Sequence, residues 1–102
     1  MELIIKNFQT RQGPVEGLQA KWSGFNILLA AGGKGFLACG VFDLAALERF
    51  GVAAALVESA PDNPIGTLER FAARKIMAAN DKARALGIAP GMDAAEAMER
   101  LA

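Results

Sequence analysis

The chain has 102 residues, 53% hydrophobic and 22% charged, with 11 lysines and arginines matching 11 aspartates and glutamates. That length supports one core, since domains run roughly 50 to 250 residues, and the composition is too apolar for intrinsic disorder. With no histidine and a single cysteine, a serine-histidine-aspartate triad, a histidine metal site and an internal disulfide framework are excluded.

Residues 2–8 carry β-branched and aromatic side chains and lead into Gln-Thr-Arg-Gln-Gly-Pro, which predicts a strand followed by a reversal. In 15–22 the set Leu18, Ala20 and Trp22 alternates with Gln19 and Lys21, predicting a second strand with that set as its apolar face. Residues 26–31 and 35–42 are continuous apolar runs around Gly32-Gly33-Lys34, the pattern of a hairpin buried on both faces. Asp43 stands at an N-cap position, with Phe42 and Leu47 placed as a hydrophobic staple. Leu44, Leu47 and Phe50 share one face of the helix that follows, Arg49 suits its last turn, and Gly51 ends it. Residues 52–58 predict a fifth strand, and 59–66 a loop centred on Pro61-Asp62-Asn63-Pro64.

Between 65 and 86, Ile65, Leu68, Ala72, Ile76, Ala79, Ala83 and Leu86 recur at steps of three and four, a long-helix pattern. Asn80-Asp81 reads as a cap in mid-run, and 76–79 as a short buried strand, so periodicity alone leaves two solutions. Gly87 stops the segment, and Pro90-Gly91 makes a turn. Asp93 and Glu96 form a capping-box variant for a last helix through Leu101, with Ala94, Ala97, Met98 and Leu101 as its apolar stripe.

The run Gly-Phe-Leu-Ala-Cys-Gly-Val-Phe-Asp at 35–43, the alanine-valine strand, Thr67-Leu68-Glu69, Leu86-Gly87-Ile88, Gly91-Met92 and Glu96-Ala97-Met98 together resemble the YunC-like family of small uncharacterised prokaryotic domains. The likeness covers residues 26–101. It implies an α+β fold with no assigned biochemical activity, in which an N-terminal β-region mediates assembly into a homotetramer. The chain is then one domain: 1–24 an oligomerising β-region, 25–102 an α/β core. About four antiparallel strands lead, followed by alternating short helices and strands, with the helices packed on the sheet. The resemblance also resolves 65–86 as a helix at 67–73, a strand at 75–79 and a helix at 81–86. Between 58 and 67 the chain departs from the family pattern, its two-proline loop being longer.

Several segments invite chemistry. Gly32-Gly33-Lys34-Gly35 suggests a phosphate loop, but no serine or threonine follows the lysine and the next element is a strand rather than a helix, so a hairpin turn is the better explanation. Cys39 is the sole soft nucleophile; its apolar flanks favour an inert buried thiol, and the competing solution is a small enzyme using Cys39 and Asp43 in a cleft near a subunit interface. Asp43 is already accounted for as a cap. Ser59, Asp62, Asn63 and Thr67 form the candidate ligand-binding surface, a sensor loop preceding a helix N-terminus, against the plainer role of a proline-stiffened connector with Thr67 as N-cap.

No metal site or cofactor is expected, since Asp62-Asn63 matches no calcium loop. The even charge shows no basic stripe, which argues against nucleic acid, and a net charge near zero tolerates self-association. The apolar stretch 25–47 is broken by four glycines, Lys34 and Asp43, so no membrane-spanning helix is expected. The first six residues lack a signal peptide's basic region, and a lone cysteine suits a reducing compartment; the expected location is the cytoplasm. The expected partners are copies of the chain itself and an unidentified small molecule.

Overall fold

The computed structural model describes Met1–Ala102. Strand β1 (Glu2–Thr10) reverses through Arg11 and Gln12 into β2 (Gly13–Trp22), and the Thr10 hydroxyl closes the turn by donating to the Gly13 carbonyl at 2.6 Å. Ser23 and Gly24 make the next turn, Gly24 taking a positive φ of +82° at the position where a type II turn calls for glycine. Then come β3 (Phe25–Ala31), β4 (Gly35–Ala38), α1 (Leu44–Arg49), β5 (Ala53–Val57), α2 (Leu68–Ala72), β6 (Ile76–Ala79), α3 (Asp81–Ala85) and α4 (Ala94–Leu101). The strands form one six-stranded sheet in sequence order, antiparallel throughout except for β4 and β5, which run parallel across α1. This is the expected α+β architecture, with strands leading the chain and helices packed on the sheet.

Strand alternation sorts the sheet into two faces. Val15, Leu28, Ala30, Leu37, Ala55 and Val57 lie on one and are buried with Leu68 and Phe71 of α2, Ala83 of α3, and Ala97, Met98 and Leu101 of α4. Each fully buried leucine or phenylalanine here contributes roughly 1.5 to 3 kcal/mol. Gly17 belongs to this inner face because Phe8 and Leu68 fill the space a β-carbon would need.

The outer face carries Leu3 and Ile5 of β1, paired with Ala20 and Leu18 of β2, then Ile27 and Leu29 of β3. Beyond them lie Phe36 and Ala38 of β4, paired with Ala54 and Leu56 of β5. Ala38 and Ala54 are fully buried yet stand outside the main core, and Phe36 meets Phe42 edge-on at 5.7 Å just before α1. Helix α1, packed on β5 and contributing nothing to the inner core, therefore covers the β4–β5 part of the outer face. The β1–β3 part stays bare.

Four expectations from sequence need correction. The apolar set Leu18, Ala20 and Trp22 of the second strand does share a face, but pairing Ile5 with Leu18 turns it outward, and the face expected to be wet carries Val15, Gly17 and the buried Gln19 toward the helices. For the same reason β3 is buried on one face only. The fourth strand ends at Ala38 instead of 42, because Cys39 makes a last amide bond to the Leu28 carbonyl at 3.0 Å and the chain then turns out of the sheet toward α1. Asp93 makes no side-chain cap for α4; its carboxylate pairs with Lys75 at 3.0 Å instead.

The break in the long periodic segment is as the resemblance implied. Asn80 accounts for it: its Oδ1 accepts from the Ala83 and Ala54 amides at 3.0 and 3.1 Å, and its Nδ2 donates to the Val52 carbonyl at 2.8 Å. One buried side chain thus caps α3 and bonds to β5, leaving Ile76 and Ala79 to fill strand positions.

Candidate functional site

After β4 the chain passes to α1 on the outer face, and after β5 it passes to α2 on the inner face. The carboxyl ends of these two parallel strands therefore part from each other, which is where open sheets form ligand crevices. An open cleft of about 570 Å³ occupies that position. Its walls come from the β2–β3 turn (Gly24, Phe25, Asn26), the exit of β4 (Cys39, Gly40, Val41) and the loop after β5 (Ser59, Ala60, Pro61, Pro64, Ile65, Gly66), with Leu28 behind. No charged side chain lines it.

Arg74, a residue with no motif around it, organises the loop wall. Its guanidinium donates to the carbonyls of Glu58 (3.3 Å), Asn63 (3.0 Å) and Pro64 (3.0 Å) and to Asn63 Oδ1 (3.1 Å). A planar fork reaching four acceptors fixes a loop that otherwise closes on itself only through Ala60 and Asn63.

Gln19 is the second unforeseen residue. It is only 2% exposed, on the inner face of β2, where an apolar side chain is the rule. Its Nε2 donates to the Gly66 carbonyl at 2.8 Å and to Asn26 Oδ1 at 3.2 Å, joining two walls of the cleft. Because a carbonyl can only accept, the atom facing Gly66 must be the nitrogen; the atom of Asn26 facing that nitrogen must then be oxygen. Asn26 Nδ2 is left without a partner in the chain. The only sequence signal was a glutamine in a strand position opposite leucine, which period-2 reasoning assigned to solvent.

The expected site residues fall into three groups. Cys39 is buried at the end of β4, and it lines the cleft while belonging to the core. Asp43 does not line the cleft; its Oδ1 accepts from the Ala45 and Ala46 amides at 3.0 and 3.2 Å, the capping role read from sequence. Ser59 lines the cleft, Asn63 is held by Arg74, Asp62 is exposed at the loop tip, and Thr67 caps α2 by accepting from the Arg70 amide at 3.2 Å. Gly32-Gly33-Lys34 is a hairpin turn, with the Gly32 amide bonding the Gly35 carbonyl and the Lys34 amide bonding the Leu101 carbonyl. No cluster of three or more metal-ligating side chains forms, and no helix is long and apolar enough to cross a membrane.

A smaller hollow of about 350 Å³ lies between Gln12, Lys34, Leu86, Glu96, Glu99 and Arg100. Arg100 there pairs with Glu96 at 3.7 Å and reaches the Leu86 carbonyl.

No functionally curated protein matches the chain. Among solved structures, the crystal structure of a protein of unknown function from Thermoplasma acidophilum is similar, with a TM-score of 0.85 at 20% identity over 99% of this chain and 94% of that one. That likeness establishes a shared fold across both the β1–β2 hairpin and the helical layer. The family described as a domain of unknown function, DUF1805, matches residues 38–101, the span from the end of β4 through α4, and the chain belongs to it.

Proposed function

We propose that the chain is a self-assembling domain, a cytoplasmic homotetramer of the YunC-like type, built through its N-terminal strands. The observation that carries this is the concentration of exposed apolar side chains on β1 and the bare outer face: Leu3 is 56% exposed, Ile5 62%, Phe25 49% and Trp22 41%. Apolar patches of this kind on a small protein mark association surfaces.

Two distinct surfaces are available. The β1 edge offers nine residues with one row of backbone groups unpaired, and an antiparallel pairing of two such edges about a twofold axis extends the sheet across the dimer. The outer face of β1–β3 offers a second, side-chain surface. Two different self-complementary interfaces generate a closed dihedral tetramer, whereas one alone stops at a dimer. The resemblance to YunC-like domains supports the same arrangement. A buried, unpaired Cys39 suits a reducing compartment.

Sedimentation equilibrium tests the proposal: four times the 10.7 kDa chain mass is expected at micromolar concentration, and a monomer overturns it. Ile5→Lys, which puts a charge on both surfaces, is expected to reduce the mass. An unchanged tetramer would place the interfaces elsewhere.

A further inference from the structure

From the cleft at the carboxyl ends of β4 and β5 we infer that this is a binding site for a neutral small molecule carrying a carbonyl-type acceptor on a flat apolar body. The inference does not rest on the assembly, although Phe25 belongs both to the cleft and to the outer face proposed for association.

Three features define the ligand class. The volume, about 570 Å³, falls in the range of small-molecule sites. The walls that are not backbone are largely apolar, with Phe25 on one side and Pro61, Pro64 and Ile65 on the other, so the body that fits them is an aromatic or compact aliphatic group. Among the unpartnered side-chain groups on the walls, Asn26 Nδ2 is a donor only, the Ser59 hydroxyl donates or accepts, and the Cys39 thiol is a weak donor.

Gln19 makes this a built site rather than a chance hollow. A nine-tenths buried glutamine is costly unless bonded. Here its single amide nitrogen holds Gly66 and Asn26 together, and in doing so turns Asn26 so that its own amide hydrogens are the free ones. Gln19 is thus a positioning residue and Asn26 the contacting one. A carboxylate or phosphate would also accept from Asn26, but the lining holds no lysine or arginine to balance its charge. An amide or ketone oxygen accepts the same hydrogen bond without that desolvation cost.

The test uses the full chain and benzamide as the probe, with benzoate as its charged counterpart. In amide-detected NMR titrations, benzamide is expected to give saturable shifts confined to the Asn26 side-chain amide and the backbone of 39–41, 59–60 and 66. Benzoate is expected to bind about tenfold more weakly, the cost of an uncompensated charge. Asn26→Asp keeps the acceptor for Gln19 and removes the free donor, and it is expected to weaken benzamide roughly fivefold or more. Gln19→Leu is expected to weaken benzamide while broadening the Asn26 side-chain amide signals, which a merely structural glutamine would leave sharp. The inference is overturned if benzamide gives no saturable shift up to its solubility, if the shifts lie outside the cleft, or if benzamide and benzoate bind alike. That comparison is made on the unmutated protein, so it stands even where a variant fails to fold.

Discussion

The β1–β2 hairpin and the segment from β4 to α4 are both fully formed, but different forces hold them. Of the nineteen residues in the buried core, only Val15 precedes Leu28. The hairpin is closed by a nine-pair ladder from Glu2↔Lys21 to Thr10↔Gly13, yet most of β1 is exposed. Backbone pairing gives it a shape, and two strands paired alone are at best marginal in water, so its stability is borrowed from β3 and the inner-face packing of Phe8 and Val15. The rear segment buries its apolar stripes within the chain, against one another and against Val15, Leu28 and Ala30. The family match begins at residue 38, the last residue of β4.

The largest expected contrast comes from one truncation in each region. Phe71→Ala, at a fully buried ring, should lower unfolding stability by about 3 to 5 kcal/mol at every protein concentration. Ile5→Ala should cost under about 1 kcal/mol in dilute protein and, on the proposed assembly, progressively more as concentration rises, because its burial would wait on association. Guanidinium melts of both variants across a hundredfold dilution would show this. Equal, concentration-independent losses would erase the distinction between the regions.

Next in size is Asn80→Ala, which removes a cap and leaves the Ala54 amide and Val52 carbonyl short of partners at the β5–α3 junction; a loss of about 2 to 4 kcal/mol is expected from thermal or chemical melts. Smaller again is Arg74→Met. It frees the 58–64 loop, costs about 1 kcal/mol, and should speed hydrogen exchange at the Asn63 amide while leaving the Ala55 amide unchanged. Uniform acceleration would mean that the clamp supports the whole domain rather than one wall of the cleft.

The rear segment was the more legible. The stripe Ala94, Ala97, Met98 and Leu101 is buried as its spacing implied, and Asp43, Thr67 and Asn80 cap the helices that their positions suggested. Local chemistry decides such features, so sequence reports them. Helical periodicity through 65–86 left two solutions because alanines at steps of three and four fit a strand edge equally well; the resemblance chose helix-strand-helix, and the bonds that hold it run from Asn80 to residues 26 and 28 positions earlier. The second strand did mislead. Leu18 and Trp22 are its most apolar side chains, and alternation gives them one face, but it cannot say which face the helices will take. Here the outward face is the more apolar one, as the proposed assembly would require. Asp93 and Lys75 likewise pair across 18 residues, overriding a capping box that was plausible within four. For the cleft, Cys39 and Ser59 were within reach of sequence reasoning, whereas Gln19 and Arg74 act through partners 47 and 10 to 16 residues away.

The smallest effect concerns the one side-chain ion pair that ties the hairpin to the helical layer, Lys6 Nζ to Glu69 Oε1 at 3.3 Å. Glu69 sits in the first turn of α2, and its carboxyl pKa is lowered first by its own backbone amide and then by the hydrogen bond and charge of Lys6. A folded-state pKa below the unfolded one contributes stability at pH values above the ordinary carboxylate range, and that contribution is lost as pH falls through this range toward the lowered value. Because the pair is exposed, the contribution is screened by salt and small. Lys6→Met should raise the Glu69 midpoint, followed by the side-chain carboxyl resonance, without restoring it fully, since the amide at the helix N-terminus remains. A midpoint unmoved by Lys6→Met would mean that the ladder alone sets the hairpin's angle to α2. The front of the molecule would then be joined to its helical layer through packing at Phe8, Val15 and Gly17 and the Gln19 bond to Gly66, and the two regions would be more independent than the pair makes them.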